Sequence, residues 1–213
     1  MTPVRGKLIS LEGGEGAGKS TLLTGLCNYL QQRGIALVQT REPGGTSIGE
    51  AVRAIVLDPA HRELAAETEL LLMFASRAQL VREVIEPALQ SGQWVLCDRY
   101  ADASYAYQGG GRGQPVDRIA QLEVWACAGV KPDLTLLLDL PVSTGRARAA
   151  GRGDADRIEI EADAFFERVR ASYRSRTLAE PERFRTLDAS QRPETVLQAA
   201  TDALAVLIKG DGR

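Results

Sequence analysis

The sequence predicts an α/β protein, a parallel β-sheet carrying helices on both faces. Three observations predict it. Short apolar runs that read as buried strands fall at 7–11, 35–39, 93–97, 134–139 and 184–187. Helix-period patterns fall between them, at 19–33, 47–57, 66–90, 115–128, 160–180 and 193–208. The chain is 213 residues long, enough for one substantial core. Strand–helix alternation requires crossover connections, which give parallel strands covered on both sides. Ligands in such sheets bind beyond the carboxyl ends of the strands. The segments after Leu11, Gln39, Cys97, Asp139 and Leu187 should therefore share one rim.

The first strand runs into Gly13-Gly14-Glu15-Gly16-Ala17-Gly18-Lys19-Ser20-Thr21, and a helix follows. Glycines at this spacing let successive backbone N–H groups turn toward one anion, and the helix N-terminus adds its positive dipole end. Lys19 is placed to bridge β- and γ-phosphates and the Ser20 hydroxyl to hold Mg²⁺, so the loop binds a nucleoside triphosphate. Gly34 can cap this helix. After the second strand comes Thr40-Arg41-Glu42-Pro43-Gly44-Gly45-Thr46, where Pro and paired Gly stiffen and then tighten a loop at the binding rim. Ser47 with Glu50 forms a possible capping box for the next helix.

On the long third helix, Leu71, Phe74, Ala78, Val81 and Ile85 form an apolar stripe. Phe74 reads equally as core and, with Arg77 three residues on, as a pair that stacks on a base and bonds its edge. Pro87 marks the fraying end of this helix and Gly92 its stop. The third strand ends in Asp98-Arg99-Tyr100. An acid there suits a carboxylate that organises Mg²⁺. Asp139, at the end of the fourth strand, competes for that role; Asp98 is favoured because Arg99 beside it can bind a moving phosphoryl group. Arg146, Arg148, Arg152 and Arg157 surround Gly151 and Gly153, which reads either as a charged helix end or as a lid closing arginines onto the γ-phosphate. Gly109–Gly113 and Ala149–Asp156 are the loosest stretches and candidate mobile loops. Pro193 suits the first turn of the last helix.

Composition bounds the partners. Net charge is −2 with pI near 5.6, so no global basic field draws the chain to nucleic acid or an anionic membrane. The cations are 22 Arg and only four Lys, and Arg is the better bidentate phosphate ligand. Cys27, Cys97 and Cys127 fit no zinc or redox spacing and read as buried reduced thiols. The absence of an apolar signal region and of any apolar run near 18 residues gives a cytoplasmic expectation. His61 is the only histidine and lies in a polar stretch, which excludes a His-based triad and a multi-histidine metal site.

With Thr40–Thr46, Asp98-Arg99-Tyr100, Tyr107-Gln108-Gly109 and Asp156-Arg157-Ile158-Glu159 in place, the chain resembles the bacterial thymidylate kinases over essentially its whole length. The resemblance implies a P-loop kinase fold, a three-layer sandwich with a five-stranded parallel sheet, as one domain over 1–213 with a mobile lid at about 143–158. It implies ATP and Mg²⁺, dTMP as acceptor, dTDP and ADP as products, and a homodimer packed through helices. By motif match, Phe74 stacks on thymine and Arg77 contacts its edge. Arg53 and Arg99 hold the acceptor phosphate. Ser104, Tyr107 and Gln108 line the deoxynucleoside pocket, with Tyr107 disfavouring a ribose 2′-OH, and Glu42 and Pro43 belong to the same substrate site. Glu15 faces the acceptor's sugar or its metal, and Glu159 assists at the same end. Eukaryotic members carry Arg where Gly16 stands, so the catalytic arginine is expected from the lid, at Arg152. Ala103 stands where relatives often have Ser or Thr.

The chemistry agrees with what the sequence lacks. A phosphate monoester has a second pKa of about 6, so the acceptor arrives largely ionised and needs no general base. A deoxynucleoside kinase is the nearest alternative, with Glu42 as base on a 5′-hydroxyl. A guanine-nucleotide switch is excluded because Asn28, in the first helix, is the only asparagine.

Overall fold

The computed structural model describes residues 5–150 and 155–210. Its five strands are β1 (Leu8–Gly13), β2 (Leu37–Arg41), β3 (Trp94–Asp98), β4 (Leu134–Asp139) and β5 (Phe184–Asp188). They form one sheet in the order β2-β3-β1-β4-β5, every pair parallel. The helices are α1 (Lys19–Gln31), α2 (Ser47–Leu57), α3 (Ala66–Leu80), α4 (Glu86–Gln90), α5 (Ala101–Ser104), α6 (Val116–Cys127), α7 (Val142–Ala149), α8 (Asp163–Ala179) and α9 (Pro193–Gly210).

The two-residue period of a strand divides the core into layers. On β3, Trp94 and Leu96 join Leu22, Leu26, Leu30 and Leu204 of α1 and α9. Val95 and Cys97, pointing the other way, join Leu80, Val81 and Ile85. Both faces are covered, which is why the strands read as nearly unbroken apolar runs. The order reverses at β1, whose neighbours are β3 and β4, so the crevice beyond β1 and β3 is where a ligand belongs.

Four local readings need correction. The cap of α2 is Thr46, whose hydroxyl accepts from the Gly49 N–H at 3.0 Å; Glu50 instead accepts from the Gly45 N–H and pairs with Arg41. Pro87 frays nothing. A wider turn at Val81–Ile85 joins α3 to α4, and the looser winding accommodates a ring that would strike an ordinary helical carbonyl. Gly109–Gly113 is not loose either. Helical winding continues from α5 through Tyr105–Gly111, and α8 packs so closely on it that a Cβ at Gly111 would lie 2.4 Å from the Phe165 ring. Finally, 142–149 is helical up to the edge of the glycine-rich stretch.

Candidate active site

Gly13 closes β1 with φ 139°, where a Cβ would sit 2.5 Å from the Leu138 carbonyl oxygen. Gly16, φ 70°, abuts α7: a Cβ there would fall 2.0 Å from the Gly145 carbonyl oxygen. Only glycine fits either place. Gly14, Glu15, Ala17 and Gly18 complete the loop, and Lys19, Ser20 and Thr21 open α1. The buried Lys19 ammonium reaches back across the loop to the carbonyls of Gly13 (3.1 Å) and Gly14 (3.0 Å). Burial, and secondarily the Arg99 charge, lowers its pKa from the ordinary lysine value. Crowded cations of this kind favour an anionic ligand.

Asp98 and Ser20 line the same cleft as Lys19, with Arg41, Arg53 and Arg99. Among the described residues Asp98 Oδ1 is buried without a hydrogen-bond partner. One unpartnered carboxylate oxygen and one hydroxyl, beside a loop for phosphates, are a donor set that suits Mg²⁺. Asp139 offers no such oxygen pair, because Arg170 holds it at both oxygens, 2.7 and 2.9 Å.

Arg53, Arg99, Glu15 and Glu42 also border a second cavity, which Pro43, Met73 and Tyr107 line as well. Arg99 donates to the Gly13 carbonyl at 2.7 Å and to Glu15 Oε1 at 2.6 Å, with its guanidinium 4.9 Å from the centre of the Tyr107 ring. The Tyr107 hydroxyl donates to the same Glu15 oxygen at 3.0 Å. Arg53 is steadied by the Pro43 carbonyl at 3.0 Å. Gln108 and Glu159 complete the wall, and Asp156 Oδ1 caps the Ile158 and Glu159 N–H groups, fixing the turn that carries Glu159. Two further buried oxygens here lack a donor among the described residues, Glu42 Oε1 and Gln108 Oε1. Such atoms match a ligand that brings O–H or N–H groups.

Three expected substrate contacts stand behind this wall. Arg77 is fully buried, giving its donors to Glu42 (2.6 Å), Ser104 Oγ (3.0 Å) and the Tyr100 carbonyl (3.2 Å). Burial raises the pKa of Glu42 against the opposing pull of Arg77. Phe74 does not reach the cavity: its ring packs with Leu70, Tyr105, Ile119 and Ala126, and the Arg77 guanidinium lies 4.5 Å from its centre. Met73, one residue earlier, is the α3 side chain that lines the cavity. The signal was its four-residue spacing from Arg77, one helical turn. Glu69, another turn back, gathers Gln108, Arg112 and Arg157, and so ties α3 to the Asp156–Glu159 turn. Arg152 lies outside the described residues.

On the other side of the phosphate loop, Ala17, Leu22, Pro193 and Leu197 line an open, largely apolar cleft, with Thr21, Arg148 and Gln191 at its edge. Arg148 donates to the Ala189 carbonyl at 2.9 Å.

A phosphate loop at the switch point, flanked by one apolar cleft and one arginine-rich cavity, places the fold among P-loop kinases. The family model described as thymidylate kinase matches residues 11–200. Similar proteins include the thymidylate kinases of Alkalilimnicola ehrlichii, 56% identical over 94% of this chain and 93% of the relative, and of Ectopseudomonas mendocina, 54% identical over 93% and 94%. That of Vesicomyosocius okutanii is 49% identical over 96% of this chain and 98% of its own length. The chain belongs to the thymidylate kinase family. Among the described residues no helix is long and apolar enough to cross a membrane.

Proposed function

We propose that the protein transfers the γ-phosphoryl group of ATP to dTMP, giving dTDP and ADP. The observation that carries this reading is the junction of two cavities at Arg53 and Arg99. Two guanidinium groups beside a phosphate loop fit an acceptor that is itself an anion. A deoxynucleoside acceptor would bring a neutral 5′-hydroxyl and leave the Arg53 and Arg99 guanidinium groups without an anion to meet.

In this reading ATP lays its adenine in the Ala17–Leu197 cleft and its phosphates on the loop amides and Lys19. Ser20 and Asp98 hold Mg²⁺, which when bound neutralises charge on the β- and γ-phosphates. The acceptor phosphate lies between Arg53 and Arg99. Tyr107 stands against the sugar, held by Glu15, and the pyrimidine meets Met73, with Gln108 and Glu42 offering acceptor oxygens to the base N–H and the sugar hydroxyl. Catalysis is then positioning and charge neutralisation, with an already ionised nucleophile. Arg152, in a lid over about 143–158, supplies the transition-state cation.

The reading extends to assembly as a homodimer. Leu71 of α3 and Val116, Val124 and Trp125 of the adjoining α6 are more than half exposed, Trp125 at 81%. Solvent-facing apolar side chains on neighbouring helices fit an interface between copies; sedimentation of Trp125→Glu as a monomer is the expected result. The function is tested by turnover with a panel of nucleoside monophosphates at fixed ATP and Mg²⁺. dTMP should be preferred over thymidine and over ribonucleotides. Preferred thymidine refutes it.

A further inference from the structure

Arg99 has φ 70°. Among the described residues the only other non-glycine with positive φ is Ala128, which closes α6 as a left-handed cap. Arg99 ends no helix. A left-handed arginine persists only where its surroundings over-determine it, and such strain collects at functional positions.

The surroundings can be named. The Arg99 N–H donates to the Leu11 carbonyl at 2.9 Å. The next N–H, that of Tyr100, donates to Glu12 Oε1 at 2.7 Å. Glu12 is fully buried near the end of β1, a place where its neighbours Ile9 and Leu11 are apolar. Its second oxygen accepts from the Tyr173 hydroxyl of α8 at 2.7 Å. Carboxyl burial is costly and raises the Glu12 pKa, with the Arg99 charge among the influences that pull it back. The same strand, one residue on, provides the Gly13 carbonyl that receives the Arg99 guanidinium. Glu12 therefore grips the backbone of the turn while its neighbour grips the side chain.

We propose that Glu12 is a positioning residue for phosphoryl transfer: by accepting the Tyr100 N–H it fixes the left-handed turn that aims Arg99 at the acceptor, and Tyr173 holds Glu12 in place. The proposal rests on the reading of Arg99 as the acceptor-phosphate arginine.

A double-mutant cycle in the full-length protein tests it, with kcat and the acceptor KM measured separately. Glu12→Ala should lower kcat/KM by about ten- to a hundredfold, the scale of a small misplacement of a reacting group. Glu12→Gln should restore most of that loss, since its amide oxygen accepts from Tyr100 and its amide N–H donates to the Tyr173 oxygen. In an Arg99→Ala background, Glu12→Ala should add nothing further. Tyr173→Phe, which keeps the ring and removes only the hydroxyl, should show a smaller loss that likewise vanishes without Arg99, and it serves if Glu12→Ala fails to fold. Equal losses with and without Arg99, or a Glu12→Gln variant as poor as Glu12→Ala, overturn the proposal. Preference for a monophosphate other than dTMP would refute the substrate assignment alone, because the cycle is then read with that monophosphate.

Discussion

The two halves of the crevice are built from different materials. The donor side is mostly backbone: glycines that present amides, one lysine drawn across the loop, and a cleft of apolar side chains from α1, β4 and α9. The acceptor side is mostly side chains, locked in charged networks that join distant parts of the chain. Glu15 meets Arg99 and Tyr107; Arg77 meets Glu42 and Ser104; Glu69 meets Gln108, Arg112 and Arg157. Backbone recognition suits a phosphate chain common to all nucleoside triphosphates. Discrimination between acceptors needs placed polar side chains, because a site with buried, directional partners rejects ligands that leave them unpaired.

The sharpest test of this contrast is the proposed transition-state cation. Arg152→Ala should lower kcat by about 10³-fold, as for an arginine finger, while the KM for dTMP is unchanged. Unchanged turnover would remove Arg152 from the mechanism and leave Lys19 and Arg99 as the cations at the reacting group. Arg53→Ala should act on the acceptor side alone. Loss of a charge-assisted hydrogen bond predicts a KM for dTMP raised about ten- to a hundredfold with the KM for ATP unmoved. A parallel rise in both constants would mean that the two sides are not separate.

Met73 and Phe74 offer a comparison within one helix. Met73→Ala should raise the KM for dTMP, whereas Phe74→Ala should cost about 3–5 kcal/mol of stability, seen as a fall in Tm. The reverse pattern would return the base-stacking role to Phe74.

The last effect is a pH slope. Burial, aided by nearby Asp102, pushes the Glu12 carboxyl up to about 8 from its ordinary 4.5. Between those values the unfolded chain releases a proton that the folded protein keeps, so stability falls as pH rises across that window. Unfolding by urea at pH 5 to 8 should show this decline, flattened in Glu12→Gln. An identical slope in the variant would mean that Glu12 titrates normally.

The same contrast explains how much could be read from the sequence. Strand alternation gave all five strands in place, because buried parallel strands leave apolar runs. The phosphate loop was legible because backbone geometry is written as glycine spacing. Gly109–Gly111 misled because glycine serves close packing as well as looseness, and nothing local distinguishes an approaching α8 from open solvent. Phe74 misled because aromatic character is visible in a sequence while the direction of a helical side chain depends on its neighbours. Glu12 and Glu69 were invisible because their partners lie 88 and 161 residues away for Glu12, and 39 and 88 residues away for Glu69. Networks of that span exist only after folding.

The most direct measurement is a crystal structure with dTMP and a non-hydrolysable ATP analogue bound together. The account predicts the acceptor phosphate between Arg53 and Arg99, the sugar against Tyr107 and the pyrimidine over Met73. A pyrimidine bound outside that cavity, or a phosphate that touches neither arginine, would contradict it.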